Sequence, residues 1–523
     1  MATHSTEGLH EQEVTCIDPN LSPPERLKEA MDCLPASLET TLETGFKRWT
    51  IQDFSRAYSS GETTPIKVAK RFLAALEESS APQLQMSFFI AYDAHEILRQ
   101  ATDSSLRYEK GTPISVLDGV LVAVKDEIDC MPYPTTGGTK WLHKARPCTE
   151  DAACVKKLRS CGAIFVGKTN MHELGVGLSG INPHYGPTRN PYNINRISGG
   201  SSSGSAATVC AGLCPIALGV DGGGSVRIPA ALCGIVGFKP TRGRLPNSGF
   251  IPVNWTLGIP GIFAGTVQDV LIVYAAIAND IVMFQPKSLL PEFNLPQLKS
   301  SHLLANIKFA KYRKWFNDSS ADIRSCCDDA LQLLSKHHGW KVVDVTIPEL
   351  EEMRLAHYVT IGSECATSLA THLENIHGEL GWDARVALKA YGSFSSREYL
   401  NAQRIRNRQM QFHKEIFKSA DVIATPTTGV TARPLQRDAF STGELDYKNG
   451  DALTRFSIAG NFLGLPAITI LAGYDTSGMP IGLQFIGKPW SEATLLHLAN
   501  AVQALLIHSY RKPEVFYDLL KTE

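Results

Sequence analysis

The spacing of apolar and polar positions divides the chain into short segments of helical and strand character. Residues 51–59 and 65–76 place apolar side chains at helical spacing. The second stretch opens with Thr63-Thr64-Pro65, a hydroxyl cap with proline in the first turn. Residues 117–124 form a short apolar run, the pattern of a buried strand. Residues 152–161 then read as a helix and 163–167 as a strand. The alternation returns as strand 307–310, helix 323–337 and strand 341–345. Further strand-like runs lie at 422–425, 467–472 and 481–486. Alternating helix and strand indicates an α/β layered fold. Residues 285–301, with three prolines, read as a surface connection, and the strand-like runs on either side of it can share one sheet. Residues 1–45 read as a loosely ordered arm with one helical stretch, 24–33.

Composition narrows the picture. The 523 residues are 43% hydrophobic and 20% charged, an ordinary globular balance with ample length for a large core. The net charge of −1 carries no basic excess, which argues against nucleic acid as a main partner. The first 20 residues lack a basic n-region followed by an apolar h-region, so no secretory signal is expected and the protein reads as intracellular. The longest apolar runs, 205–220 and 270–278, are too broken or too short to span a membrane. The twelve cysteines include no CxxC pair, which fits free thiols better than a disulfide framework.

The chemistry concentrates in two glycine–serine turns. Gly199-Gly200-Ser201-Ser202-Ser203-Gly204 precedes a helical run at 205–213. Asp221-Gly222-Gly223-Gly224-Ser225 follows a strand-like run at 214–220 and precedes a helical run at 226–233. A serine at the join of strand, glycine turn and helix lies near unpaired helix N–H groups, which can stabilise an oxyanion; a glycine-rich connection with an incidental serine is the plainer alternative. The first turn matches G-x-S-x-G, but its upstream segment, with Pro191 and asparagines on both sides of Ile194, is a poor core strand, which counts against a nucleophile elbow. No Gly-Lys-Ser/Thr follows it, so it is not a P-loop. His172-Glu173 does not extend to HExxH, leaving a zinc site unsupported. Lys125, at the end of the 117–124 run, can act as a base if desolvated, although Asp126, Glu127 and Asp129 adjoin it and an ordinary surface lysine is the alternative.

These motifs together resemble the amidase signature enzymes. The resemblance runs from Ser198 to Ala207, Gly219 to Ser225, Arg227-Ile228-Pro229-Ala230, Cys233-Gly234 and Gly237 to Thr241. It continues in Thr425-Pro426-Thr427, the stretch from Asn461 to Ala467 and that from Gly478 to Gln484, and covers roughly residues 50–510. Segments such as Cys130 to Thr135, Lys314 to Asp318 and Pro348 to Arg354 are similar to the plant-type fatty acid amide hydrolases. The resemblance implies an α/β fold: one α/β/α domain over residues 46–523, behind the arm 1–45, with helices on both faces of a large mixed sheet. It implies a Ser–Ser–Lys triad, with Ser225 as nucleophile, Ser201 as bridge after a cis Gly200–Ser201 peptide, and Lys125 as neutral base. The N–H groups of Gly222, Gly223, Gly224 and Ser225 are the implied oxyanion hole, with Ser202 and Arg227 in support. No cofactor or metal is implied. The implied substrate is a hydrophobic carboxamide such as an N-acylethanolamine or another fatty acid amide. Alternatives are a small aryl amide, or service as an amidotransferase A-type subunit beside a partner. A homodimer and peripheral membrane contact are further expectations. Val220 departs from the threonine usual in the family, and the N-terminal segment looks shorter than that of the plant-type enzymes.

Overall fold

Strand Leu121–Lys125 is buried at every position, as befits a strand with neighbours at both edges and cover on both faces. It belongs to the central sheet of a computed structural model that describes residues 14–35, 46–278, 291–299 and 306–521. In chain order the sheet's strands are β1 (Phe89–Ala91), β2 (Leu121–Lys125), β3 (Ile164–Thr169), β4 (Ile216–Asp221), β5 (Val236–Lys239) and β6 (Ile259–Ala264). They continue as β7 (Lys308–Lys311), β8 (Lys341–Asp344), β9 (Val422–Pro426), β10 (Ala467–Tyr474) and β11 (Pro480–Gly487). The spatial order is β8-β7-β9-β11-β10-β5-β6-β4-β2-β3-β1. β2 runs parallel to β3 and β4, and β7 parallel to β8 and β9; the remaining pairs are antiparallel. The fold is the expected α/β arrangement, a mixed 11-stranded sheet with helices on both faces, and strands from both sides of the 285–301 connection enter it.

Local departures from the expected elements have visible causes. β2 begins four residues later than the apolar run because Asp118 and Val120 donate their N–H groups to Ser115 and Leu117 in a turn around Gly119. Asn193–Ile197 does form a strand, but in a two-stranded ribbon with Arg189–Asn190 outside the main sheet, consistent with its polar pattern. Residues 14–35 are packed rather than loosely ordered. Val14–Cys16 pairs with Asn294–Pro296, and the helix Pro23–Asp32 buries Arg26, Leu27 and Ala30. Residues 1–13 and 36–45 of the arm, and 285–290 and 300–301 of the connection, lie outside the described residues.

Five helices position the site: α1 (Ser203–Cys210), α2 (Arg227–Leu232), α3 (Leu350–Ile376), α4 (Trp382–Tyr391) and α5 (Ser396–Ser419). α1 is built from small residues because it lies hard against neighbouring backbone. A Cβ at Gly204 would come within 2.4 Å of the Phe88 carbonyl and 2.6 Å of the Asn170 nitrogen. α3 was not foreshadowed by a clean apolar stripe. Its buried positions mix Met353, Ala356, Cys365 and Leu369 with His357, Thr360 and Glu364. It reaches two apolar clusters, one with Leu257, Phe456 and Phe462, the other with Trp141, Leu174 and Ile251. No helix among the described residues is long and apolar enough to cross a membrane.

Candidate active site

Ser225 sits in the turn between β4 and α2, and a buried carboxylate shapes that turn. Asp221, the last residue of β4, accepts the N–H of Gly224 at 2.6 Å, of Val226 at 3.1 Å and of Arg227 at 3.3 Å. Gly224 has φ +118°, and a Cβ there would meet Ile228 Cδ1 at 2.6 Å, so the turn requires glycine. The Arg227 guanidinium, wholly buried, grips both Asp221 oxygens at 3.0 Å. It also donates to the Ser457 carbonyl at 2.9 Å, Gln484 Oε1 at 2.8 Å and Asn461 Oδ1. Asn461 in turn donates to the carbonyls of Asp221 and Leu257, and Gln484 to Thr425 Oγ1 and the Phe456 carbonyl. Burial opposes ionisation of Asp221, but the Arg227 charge and hydrogen bonds outweigh it and hold the carboxyl below its ordinary range.

The first turn brings Ser201 to Lys125. Lys125, the final residue of β2, donates from Nζ to Ser201 Oγ at 2.8 Å and to the Val220 carbonyl at 3.4 Å. The Gly200–Ser201 peptide is cis. Of the three acidic neighbours of Lys125, only Glu127 pairs with it, Oε2 lying 2.8 Å from Nζ. Asp126 faces Lys168 and accepts from Thr136 and Gly138, while Asp129 is held by Arg146. Ser202 links the two turns. Its N–H donates to the Ser225 carbonyl at 3.4 Å and its hydroxyl to the Val220 carbonyl at 3.3 Å. No hydrogen bond joins the Ser201 and Ser225 hydroxyls among the described residues.

The expected oxyanion donors divide. The Gly224 N–H is already engaged by Asp221, which removes it from the set. The N–H groups of Gly222, Gly223 and Ser225 meet no acceptor among the described residues. His357 on α3, which nothing in the sequence pattern singles out, donates from Nε2 to the Gly222 carbonyl at 2.9 Å. Burial lowers its pKa to about 4, so the imidazole is neutral at neutral pH. A trans peptide points its C=O and N–H in opposite directions, so pinning the Gly222 carbonyl toward α3 aims the Gly223 N–H the other way. The 172–175 loop braces Ser201 from behind. The His172 N–H donates to the Ser201 carbonyl at 3.0 Å, and His172 Nε2 lies 2.9 Å from Asp383 on α4. Glu173 accepts from the Gly381 N–H at 2.8 Å and pairs with His184 at 2.7 Å. His172 and Glu173 thus act as buried braces. Asn461 and Gln484 fall within motifs that the sequence brings forward, but their contacts with Asp221 and Arg227 are visible only in the fold.

The chain is similar to known proteins in both sequence and fold. The Amidase family model matches residues 69–496. The chain is 48% identical to a fatty acid amide hydrolase of Arabidopsis thaliana over 98% of its own length and 86% of that protein's. It is 45% identical to a fatty acid amide hydrolase of Oryza sativa subsp. japonica, with the same two coverages. A solved structure described as a crystal structure of amidase is 26% identical and superposes with a TM-score of 0.76 over 87% of this chain and 100% of that one.

Proposed function

From the premise that this chain belongs to the amidase family and is an amide-hydrolysing enzyme, we propose that it is a serine amidase acting on hydrophobic carboxamides through a Ser–Ser–Lys relay. The observation that carries the reading is the 2.8 Å contact from Lys125 Nζ to Ser201 Oγ, in a turn bonded through Ser202 to Ser225. Ser225 Oγ attacks the amide carbon and passes its proton to Ser201 Oγ, which passes its own to the Lys125 amine. The Ser201–Ser225 contact closes when substrate binds, since catalytic hydrogen bonds in a free enzyme are often long and tighten in the complex. The developing oxyanion is received by the N–H groups of Gly222, Gly223 and Ser225. Arg227, Asp221 and His357 hold the turn that presents those donors. Collapse expels the amine, which takes the proton back through the relay, and water then hydrolyses the acyl-enzyme.

The substrate class favoured is the N-acylethanolamines and other fatty acid amides. The similarity to two plant fatty acid amide hydrolases over nearly the whole chain supports it. The test is a hydrolysis panel of matched long-chain acylethanolamides, primary fatty amides and small aryl amides, run with the wild type and Ser225→Ala. Turnover of the long-chain amides by the wild type alone is expected. Preference for the aryl amides would overturn the substrate class, and activity retained in Ser225→Ala would overturn the mechanism.

A further inference from the structure

Lys125 Nζ faces three oxygens: Ser201 Oγ and Glu127 Oε2, both at 2.8 Å, and the Val220 carbonyl at 3.4 Å. To accept a proton from Ser201, Nζ must present a lone pair to it, which leaves room for two protons on the nitrogen. The third needs a nearby acceptor. A backbone carbonyl cannot take it outright, whereas a carboxylate can. Glu127 is that carboxylate. It is buried beside Lys125 and pairs with no other cation among the described residues, unlike Asp126, on Lys168, and Asp129, on Arg146. Gly175 leaves space above both groups, since a Cβ there would be 3.5 Å from Ser201 Oγ and 3.9 Å from Glu127 Oε2.

We propose that Glu127 is a positioning residue that takes one proton from Lys125 and so frees the amine lone pair for Ser201. This rests on the serine mechanism above. The bookkeeping of protons closes. The ammonium–carboxylate pair becomes amine and carboxylic acid as one proton crosses from Nζ to Oε2. The amine then receives the Ser225 proton by way of Ser201 and returns it to the leaving nitrogen. When the pair reverts to its charged form, no proton has been exchanged with solvent. Burial makes this exchange feasible, because desolvation offsets much of the attraction that would otherwise lock the pair as ions.

The surroundings leave Glu127 as the natural acceptor. From α3 the pair is faced by the Cys365 thiol, pushed up to about 12 by burial and then by the Glu127 charge, and His357 is turned to the Gly222 carbonyl. From β4 Asp221 is bound to Arg227, and from β3 Lys168 to Asp126. From the 172–175 loop His172 is bound to Asp383 and Glu173 to His184.

The test is the pH profile of kcat/KM for a medium-chain N-acylethanolamine, with wild type, Glu127→Gln, Glu127→Asp and Ser225→Ala. The wild type and Glu127→Asp should give a flat profile through neutral pH. Glu127→Gln should lose on the order of 100-fold at neutral pH and regain about tenfold per pH unit upward, because the proton must then leave for solvent. An acid limb displaced to lower pH, the result if Glu127 merely anchors an ammonium, would overturn the proposal. So would an equal loss at every pH that Asp does not restore. If Glu127→Gln melts below the assay temperature, Glu127→Asp decides: a lower kcat with unchanged KM and a flat profile supports the proposal, and a loss confined to KM overturns it. Full activity of Ser225→Ala would overturn the serine mechanism together with this inference, a signature none of the Glu127 results produces.

Discussion

Among the described residues, Lys125 is the only side-chain nitrogen in hydrogen-bond reach of the Ser201 hydroxyl, and its removal tests the proposed relay at its base. Lys125→Ala is expected to lower kcat by roughly 10² to 10⁴-fold while leaving KM nearly unchanged, read from steady-state hydrolysis of a fatty acid amide. A drop confined to KM would mean that the lysine binds substrate instead. Ser201 and Ser225 were legible as candidates in the sequence from their glycine-rich turns, and Lys125 only through the family resemblance, since locally it fits an ordinary surface lysine as well. The role of Glu127 was not. Asp126, Glu127 and Asp129 look alike in the chain, and only the turn after β2 decides that one faces Lys125 while the others face Lys168 and Arg146. His357 left no local mark either, since its partner lies 135 residues away in the chain.

At the scale of the element, the Asp221–Arg227 pair holds the Ser225 turn in shape. The carboxylate closes the turn through three N–H groups, and the guanidinium ties it to Ser457, Asn461 and Gln484. Asp221→Asn leaves a buried guanidinium without its counter-charge, a change expected to destabilise the fold by about 3–5 kcal/mol and to lower the thermal midpoint. An unchanged midpoint would show that hydrogen bonds alone hold the turn. The turn itself was readable from its glycines, but the network was not, because it joins β4, α2, the 457–461 segment and β11. The helix α3 escaped for a related reason. It contacts Gly222 through His357 and two separate apolar clusters along its length, so no single apolar stripe marks it.

At the scale of the whole molecule, N-terminal elements are tied to distant parts of the chain, the start of helix Ile51–Ser59 to helix Val267–Ile277 and strand Val14–Cys16 to Asn294–Pro296. Asp269, at the start of helix Val267–Ile277, accepts the Ile51 N–H at 2.9 Å and the Thr266 hydroxyl at 2.8 Å. Burial, with the nearby Asp53 charge adding to it, raises its pKa to about 7 from an ordinary 3.8. The folded chain therefore binds the proton more tightly than the unfolded chain. The stability this contributes is full below about 4 and is lost as pH rises toward about 7. The midpoint of the wild type relative to Asp269→Asn should fall across that window and level off above it; a constant difference would contradict the assignment. The α/β class follows from the alternating pattern, which also allowed the distant strands to share the one sheet they form, whereas the packing of residues 14–35 rests on a strand pairing with residues 294–296 that no local signal announces. The central claim concerns where this 57.1 kDa chain carries the acyl group in mid-reaction. The direct measurement is acid quenching during turnover of a fatty acid amide, followed by intact mass and peptide mapping. The account predicts a single acyl adduct on Ser225, absent from Ser225→Ala; an adduct on Ser201, or steady turnover by Ser225→Ala, would contradict it.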